Sequence, residues 1–530
     1  MESEAIISAE AKQVTRAAAL ISAGNVSSRA LGLIREMVKS YFFGAGGAVS
    51  AFDVAAQVPT MFYDLLIGGM LSSALVPVFS DYTRPHRRAE LWKLLSLLIS
   101  LLVVFLGSFT LILEATAPIV ARLLSAGLEP TYLKLAEQMI RITTPAILFV
   151  NIAGVLSGAL YALQRFERPA FTGAVSNAAI VITVFLLGRS WLGASSLAVG
   201  LLAGSIAQVA YQWQGLQDAR LAFVSPFQGH PALRTIGSLF LPIALGLIVD
   251  QAAVVLSFNL ASRTGPSGIA WMKYAATLVQ FPLGMVVTAV SVAILPTLSR
   301  YATDAEETLF SATLAQGLRL VLILVLPATM AMLILAEPLV ALLFQRGNFL
   351  IQDTQAVATA LRFSLLGLIF SALDQPLIFA FYARKDTWTP ALVGMVTVII
   401  YTGLALLPVL FWAPNLSALI LANSLKLTLH ALLMMALFSR KVGRLRAYGV
   451  LRPAILSIIA SLLIAVPMAG LSFLVERQGP GGSLGALLQV ALGGGCGAVI
   501  YMLLMRIMRL EEFELLHSTL LRRFKTRKPK

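Results

Sequence analysis

The chain has 530 residues, 58% of them hydrophobic and 12% charged, with a mean hydropathy of +0.85. Apolar runs recur along its whole length, which excludes a soluble globular domain and points to an all-α polytopic membrane protein. Its net charge of +15 would suggest a nucleic-acid partner in a soluble protein. Here the basic residues gather in alternate connections between apolar runs, so no nucleic acid is expected.

A membrane span needs about 20 apolar residues, and the chain offers about fourteen candidates. In order they cover 14–41, 48–80, 90–118, 133–163, 170–188, 192–216, 231–260, 267–300, 308–336, 352–383, 388–410, 415–439, 448–476 and 483–508. The segment Met1 to Glu10 is polar and lacks the layout of a cleaved signal peptide, so the first span is expected to stay. Basic clusters include Arg84 with Arg87 and Arg88, Arg165 with Arg168, Arg384 with Lys385, Arg440 to Arg452, and the tail Arg522 to Lys530. They alternate with connections carrying about one basic residue each, so both termini are expected in the cytoplasm, which requires an even number of spans.

The first span carries a polar stripe. At about 100° per residue, Asn25, Ser28, Arg29, Gly32, Arg35, Glu36 and Lys39 fall within roughly a 120° arc. Each charge at mid-bilayer costs roughly 2.5–3.5 kcal/mol on insertion scales, so the stripe is expected to face a bundle interior or a wet cavity. Span two has an acidic counterpart, with Asp53, Gln57, Thr60 and Asp64 on an arc of about 60°. If the stripes meet, Arg29 and Arg35 pair with Asp53 or Asp64, either as structural ion pairs or as partners released to bind an anionic substrate. On span eight, Lys273, Thr277 and Gln280 share a face just before Phe281-Pro282; Lys273 either faces inward or snorkels to the interface. Asp250, Gln251, Arg319, Arg362, Asp374 and Lys426 are further intramembrane polar groups.

An internal repeat follows from the numbering. Ala74 to Tyr82, ending span two, resembles Ala293 to Tyr301, ending span eight, at an offset of 219 residues. Pro118-Ile-Val-Ala recurs as Pro338-Leu-Val-Ala and Tyr161-Ala as Tyr382-Ala, at offsets of 220 and 221. The repeat unit contains six spans, an even number, so both copies enter the membrane in one orientation. Two six-helix lobes related by an axis along the membrane normal are expected, with a site between them near the midplane. The expected divisions are 1–220 and 221–440 for the lobes and 441–530 for two extra C-terminal helices and a basic cytoplasmic tail.

The chain carries no Gly-x-x-x-x-Gly-Lys-Ser/Thr loop for nucleotide phosphates and no Gly-x-Ser-x-Gly elbow. Cys496 is the only cysteine, and the four histidines have no metal-ligand spacing. Movement of a solute is therefore expected rather than catalysis. No cofactor and no metal are expected, and a coupling ion or the membrane potential would supply the drive.

With these residues in view, the chain resembles the MurJ (MviN) family of lipid II flippases, in the multidrug/oligosaccharidyl-lipid/polysaccharide exporter superfamily. The resemblance rests on Ser28-Arg29-x-Leu31-Gly32-x-x-Arg35-Glu36 followed by Phe43-Gly44-Ala45-Gly46, and on Ala51-Phe52, Pro59 and Ser72-x-Ala74-x-Val76-Pro77. It continues in Trp271-x-x-Tyr274-Ala275, Phe281-Pro282-x-Gly284 and Leu295-Pro296-x-Leu298-Ser299. What it implies is export of a polyprenyl-pyrophosphate-linked cell-wall precursor across the bacterial cytoplasmic membrane by alternating access. The anionic head would enter a cationic cavity from the cytoplasmic side, the lipid tail would lie in a groove lined by the last two spans, and cell-wall synthesis proteins are candidate partners.

Arg29 and Arg35 match the two basic positions of the family's first helix, and Glu36 stands where an Asp is usual. The chain departs from the pattern at Tyr63-Asp64, where a pair of arginines is usual, and at Ser50 and Gly68, where acids are usual. It departs again at Thr277 and Gln280, where an arginine and a glutamate are usual. The expected substrate-binding set is Arg29, Arg35, Lys273, Thr277 and Tyr63; the expected gating or ion-pair set is Glu36, Asp53, Asp64, Gln57 and Gln280. The missing cations leave two alternatives open: a paralogous flippase for another polyprenyl-linked glycan, or a non-transporting cell-envelope scaffold.

Overall fold

The computed structural model describes residues 2–68, 74–225, 227–303, 306–411, 413–441 and 448–510, with side chains from residue 19 onward apart from Pro242. Ser72, Arg444, Arg446 and the basic tail lie outside the described residues. Every regular element among them is helical. Each predicted span falls on a helix or a helical run. Ten of these are long and apolar enough to cross a membrane, or eleven if Pro130–Thr143 and Ala146–Ala162, bent by 42°, form one span. Of the other predicted spans, Gly47–Tyr63 has 17 residues before its helix widens and Ser195–Trp213 holds two glutamines.

The chain divides into two units, Met1–Ala270 and Trp271–Lys530. In the first, Glu2–Phe43 packs along Glu167–Leu187, which packs on Ser195–Trp213. Gly47–Tyr63 lies against Pro130–Thr143 and Ala146–Ala162, and Arg88–Ser125 contacts that bent pair and Pro231–Ser262. In the second, Ile351–Ala383 is central, touching Leu416–Lys441, Glu307–Ile334 and Thr288–Thr303. Phe310, Leu314, Leu377, Phe381, Met434 and Phe438 fill the space between them. Leu451–Gln478 and Gly494–Ile507 pack together beside Glu307–Ile334, where the buried Tyr501 hydroxyl donates to the Ile323 carbonyl at 2.8 Å.

The repeat read from the sequence has structural counterparts. A five-residue π-turn, Asp64–Gly68, interrupts the second span, and another, Leu283–Val287, interrupts the eighth at the same offset of 219 residues. Gln164 and Lys385, 221 residues apart, both take left-handed backbone conformations, with φ of 59° and 61°, and each closes the turn after a helix that ends at Ala162 or Ala383. Pro59 shows how a local defect is repaired: it has no N–H for the Ala55 carbonyl, and the buried Thr143 hydroxyl reaches that oxygen at 3.0 Å instead.

Candidate functional site

Small residues bring the first helix onto Glu167–Leu187. A Cβ on Gly24 would stand 2.2 Å from the Ala170 carbonyl oxygen, so that position has no room for a side chain, and one on Gly173 would stand 2.3 Å from Ser28 Oγ and displace that hydroxyl. This approach lets Asn177 donate from Nδ2 to the Ser28 carbonyl at 3.1 Å and accept from Arg35 Nη1 at 3.0 Å. Along the stripe, Asn25 is exposed, Ser28, Arg29, Gly32 and Arg35 are half-buried, and Glu36 and Lys39 are buried.

At the buried end four charges meet. Arg35 donates to Glu36 Oε1 from Nη2 at 2.6 Å and from Nε at 3.1 Å. Lys39 Nζ lies 2.6 Å from Glu36 Oε2 and 3.0 Å from Asp53 Oδ1, with the Phe52 ring 6.0 Å away. Two cations and two carboxylates leave the cluster electrically neutral, which is how it tolerates burial. The expectation that Arg35 pairs with Asp53 or Asp64 is corrected here: its carboxylate is its neighbour Glu36, and Asp53 takes Lys39. Phase alone does not separate the two cations, because Lys39 stands one turn beyond Arg35 and only about 40° from it on the helix. Asn177 and Glu36 hold the Arg35 guanidinium, and Lys39 is the cation that reaches Asp53. Lys39 and Asn177 were not assigned to the site from sequence; the spacing of Lys39 from Glu36 was the available signal for the first.

The acidic stripe of the second span does not stay on one surface. Asp53 and Gln57 are buried, whereas Thr60 is exposed and its hydroxyl returns to the Ala56 carbonyl at 2.8 Å. Tyr63 and Asp64 are half-buried where the α-helix passes into the π-turn. Ser50 is fully buried: its hydroxyl donates to the Pro266 carbonyl at 2.7 Å and accepts from the Ala270 N–H at 3.3 Å, fixing the start of Gly268–Pro282.

In the second unit, Trp271 Nε1 donates to Asp353 Oδ1 at 2.9 Å, while Asp353 Oδ2 caps Ile351–Ala383 by accepting from the Leu350 N–H at 3.0 Å. Tyr274 is buried between Phe344 and Phe349. Lys273 and Thr277 are half-buried and Gln280 is exposed; the Thr277 hydroxyl donates to the Lys273 carbonyl at 3.0 Å. Among the described residues no group of acids, histidines and cysteine is placed to hold a metal ion.

Comparison with known proteins agrees with this architecture. The family described as "Lipid II flippase MurJ" matches residues 39–489. A "Probable lipid II flippase MurJ" of Haemophilus influenzae is 27% identical over 458 residues, covering 83% of this chain and 88% of that protein. The "Lipid II flippase MurJ" of Burkholderia cenocepacia is 29% identical over 393 residues, covering 73% and 76%. A solved lipid II flippase MurJ in an inward closed conformation superposes with a TM-score of 0.76 at 22% identity, over 93% of this chain and all of that one. An inward-facing multidrug resistance MATE family transporter of the MOP superfamily superposes with a TM-score of 0.68 at 13% identity, over 81% and 99%. The chain belongs to the MurJ lipid II flippase family, a family of multi-pass transporters, not enzymes, of the bacterial inner membrane.

Proposed function

We propose that this chain carries lipid II, by its anionic pyrophosphate-linked head, from the inner to the outer leaflet by alternating access. Family membership across residues 39–489 carries the reading. The chemistry is supplied by Arg35, whose side chain is 33% exposed beside a nearly sealed Glu36. A guanidinium offers a planar fork to phosphate oxygens, and Glu36 occupies that fork at rest. Arg29 and Arg35 are assigned to the pyrophosphate. Tyr63, Lys273 and Thr277 are assigned as further substrate contacts, and Glu36, Asp53, Gln57, Asp64 and Gln280 as the gating set.

The two termini are placed in the cytoplasm on the alternation of basic loops. The repeats 1–220 and 221–440 form the moving lobes, 441–530 the appendage, and an ion gradient or the membrane potential drives the cycle. Two features favour a second reading, another polyprenyl-linked glycan: Tyr63-Asp64 puts a carboxylate where the family has cations, and the Thr277 hydroxyl is turned back to its own helix.

The test is complementation. Cells depleted of their own lipid II flippase and expressing this chain should regain lipid II on the outer leaflet. Arg35→Ala should lower that exposure by about tenfold or more at equal protein level, with Arg35→Lys intermediate because it keeps charge but not the fork. A well-expressed wild-type chain that restores nothing rejects lipid II, and restored export of a different glycan selects the second reading.

A further inference from the structure

The second unit holds a buried ionisable pair that the head-group chemistry does not use. Asp374, on Ile351–Ala383, and His430, on Leu416–Lys441, are each 9% exposed, and His430 Nδ1 lies 2.8 Å from Asp374 Oδ2. Both sit about 13–17 Å along their helices from the ends at Ala383 and Lys441, inside segments long and apolar enough to cross a membrane. Ionisable groups inside such segments are costly and mark ion or proton pathways.

The 2.8 Å between Nδ1 and Oδ2 is an ion-pair distance, and Nδ1 makes no hydrogen bond among the described residues. Asp374 Oδ1 accepts no hydrogen bond among the described residues. Nε2 faces Gly394 on Trp388–Phe411, where a Cβ would stand 3.9 Å away, so no side chain from that position covers it.

The surrounding charges are few. Trp388–Phe411 contributes only Tyr401 as a titratable group, and Lys426, one turn before His430, lies with Nζ 5.9 Å from the Tyr401 ring centroid. On Glu307–Ile334, Arg319 donates to the Tyr448 carbonyl, and Glu307 pairs with Arg384 near the helix end. On Thr288–Thr303 the titratable groups are Arg300 and Tyr301, in the last turn. Arg362, on the helix of Asp374, pairs with Glu337, and Asp353 caps the far end of that helix; Tyr382 lies two turns after Asp374. Arg440 and Lys441 close the helix of His430.

We propose that Asp374 and His430 form a proton-binding site coupled to the transport cycle. With the imidazole neutral and Asp374 ionised the pair carries one negative charge. A proton taken up by the imidazole gives an imidazolium–carboxylate pair of zero net charge, and its release restores the negative charge. The adjacent Gln375 connects the site to the π-turn Leu283–Val287: its Nε2 reaches Thr288 Oγ1 at 3.5 Å, and that hydroxyl donates to Leu283 O across the turn.

Proton binding is tested on the full-length protein in detergent with 15N-labelled histidine, independently of any substrate. The His430 signal, identified by its loss in His430→Gln, should change from imidazolium to imidazole between pH 5 and pH 8. Its pH dependence should change in Asp374→Asn, which removes the carboxylate facing the ring. A ring unchanged across that range, or indifferent to Asp374→Asn, overturns the site.

Coupling rests on the proposed function and is tested in proteoliposomes carrying lipid II. The ratio of translocation rates at pH 6 and pH 8 should differ from one in the wild type and collapse toward one in His430→Gln and in Asp374→Asn. A ratio retained in either variant, or absent in the wild type, overturns coupling. A wild type that moves no lipid II, with His430 still titrating, rejects the substrate and not the site.

Discussion

Lys39 is 1% exposed and held by two carboxylates, so its contribution depends on both. Removing one member of a buried ion pair leaves an uncompensated charge and costs about 3–5 kcal/mol, whereas replacing the pair by apolar residues is often neutral. Lys39→Ala or Asp53→Asn should therefore sharply lower the yield and melting temperature of detergent-solubilised protein. The double variant Lys39→Met with Asp53→Leu should recover most of the loss, because Arg35 and Glu36 still balance each other; equal damage from the single and double variants would contradict the pairing. The sequence showed that charges had to meet on the first helix but not which ones. A wheel at about 100° per residue resolves a face, but Arg35 and Lys39 differ on it by only about 40°, so the choice between them as partner of Asp53 turns on where Asn177 stands.

Elements were legible where length and hydropathy decide, and illegible where the backbone departs from an ideal helix. The predicted spans landed on helices because about 20 apolar residues have few other options in a membrane. The π-turns at Asp64–Gly68 and Leu283–Val287 left no such trace, yet each shifts every following side chain around its axis. The surface begun by Asp53 ends before the first of them, because Thr60 is already exposed and Asp64 only opens the π-turn. The contact between Thr143 and Ala55 was equally hidden, although Pro59 announced an unpaired carbonyl one turn earlier. Thr143→Val should cost about 1–2 kcal/mol, the desolvation of a buried acceptor left unmade. A Pro59→Ala background restores the native donor, so there the cost of Thr143→Val should shrink, and a double-mutant cycle on thermal unfolding measures the difference.

On the scale of the whole molecule, the numbering that shows the repeat also sets one loop ion pair in each unit at similar offsets. Arg165 grips Asp218 through two hydrogen bonds of 2.6 and 2.9 Å, and Lys441 Nζ lies 2.6 Å from Asp386 Oδ2. The hydrogen bonds from Arg165 hold the Asp218 carboxyl below the usual carboxylate range. Burial pushes Asp386 up, but hydrogen bonds from Lys441 and Thr389 outweigh it and leave that carboxyl low as well. Depressed folded values mean that both contacts are intact above the ordinary aspartate value of about 3.9 and are lost as pH falls through the lower folded values. Hydrogen exchange at 384–389 should therefore quicken as pH is lowered below about 4, relative to the intrinsic rate, and Asp386→Asn should remove the acid-dependent part.

The two latches have opposite polarity. In the first unit the base stands on the loop after the fourth span and the acid beyond the sixth; in the second the acid stands on the loop and the base closes the last helix of the repeat. Two copies of one duplicated segment, made in succession on one chain, risk mistaking each other's partners while they assemble. Here a crossed pairing would set Arg165 against Lys441 and Asp386 against Asp218, like charge against like, so the polarity works as an address that keeps each half with its own closing helix. Asp386→Arg combined with Lys441→Asp would preserve the second latch but erase the address, and should raise the protease-sensitive fraction of newly inserted chain without lowering the stability of the molecules that fold.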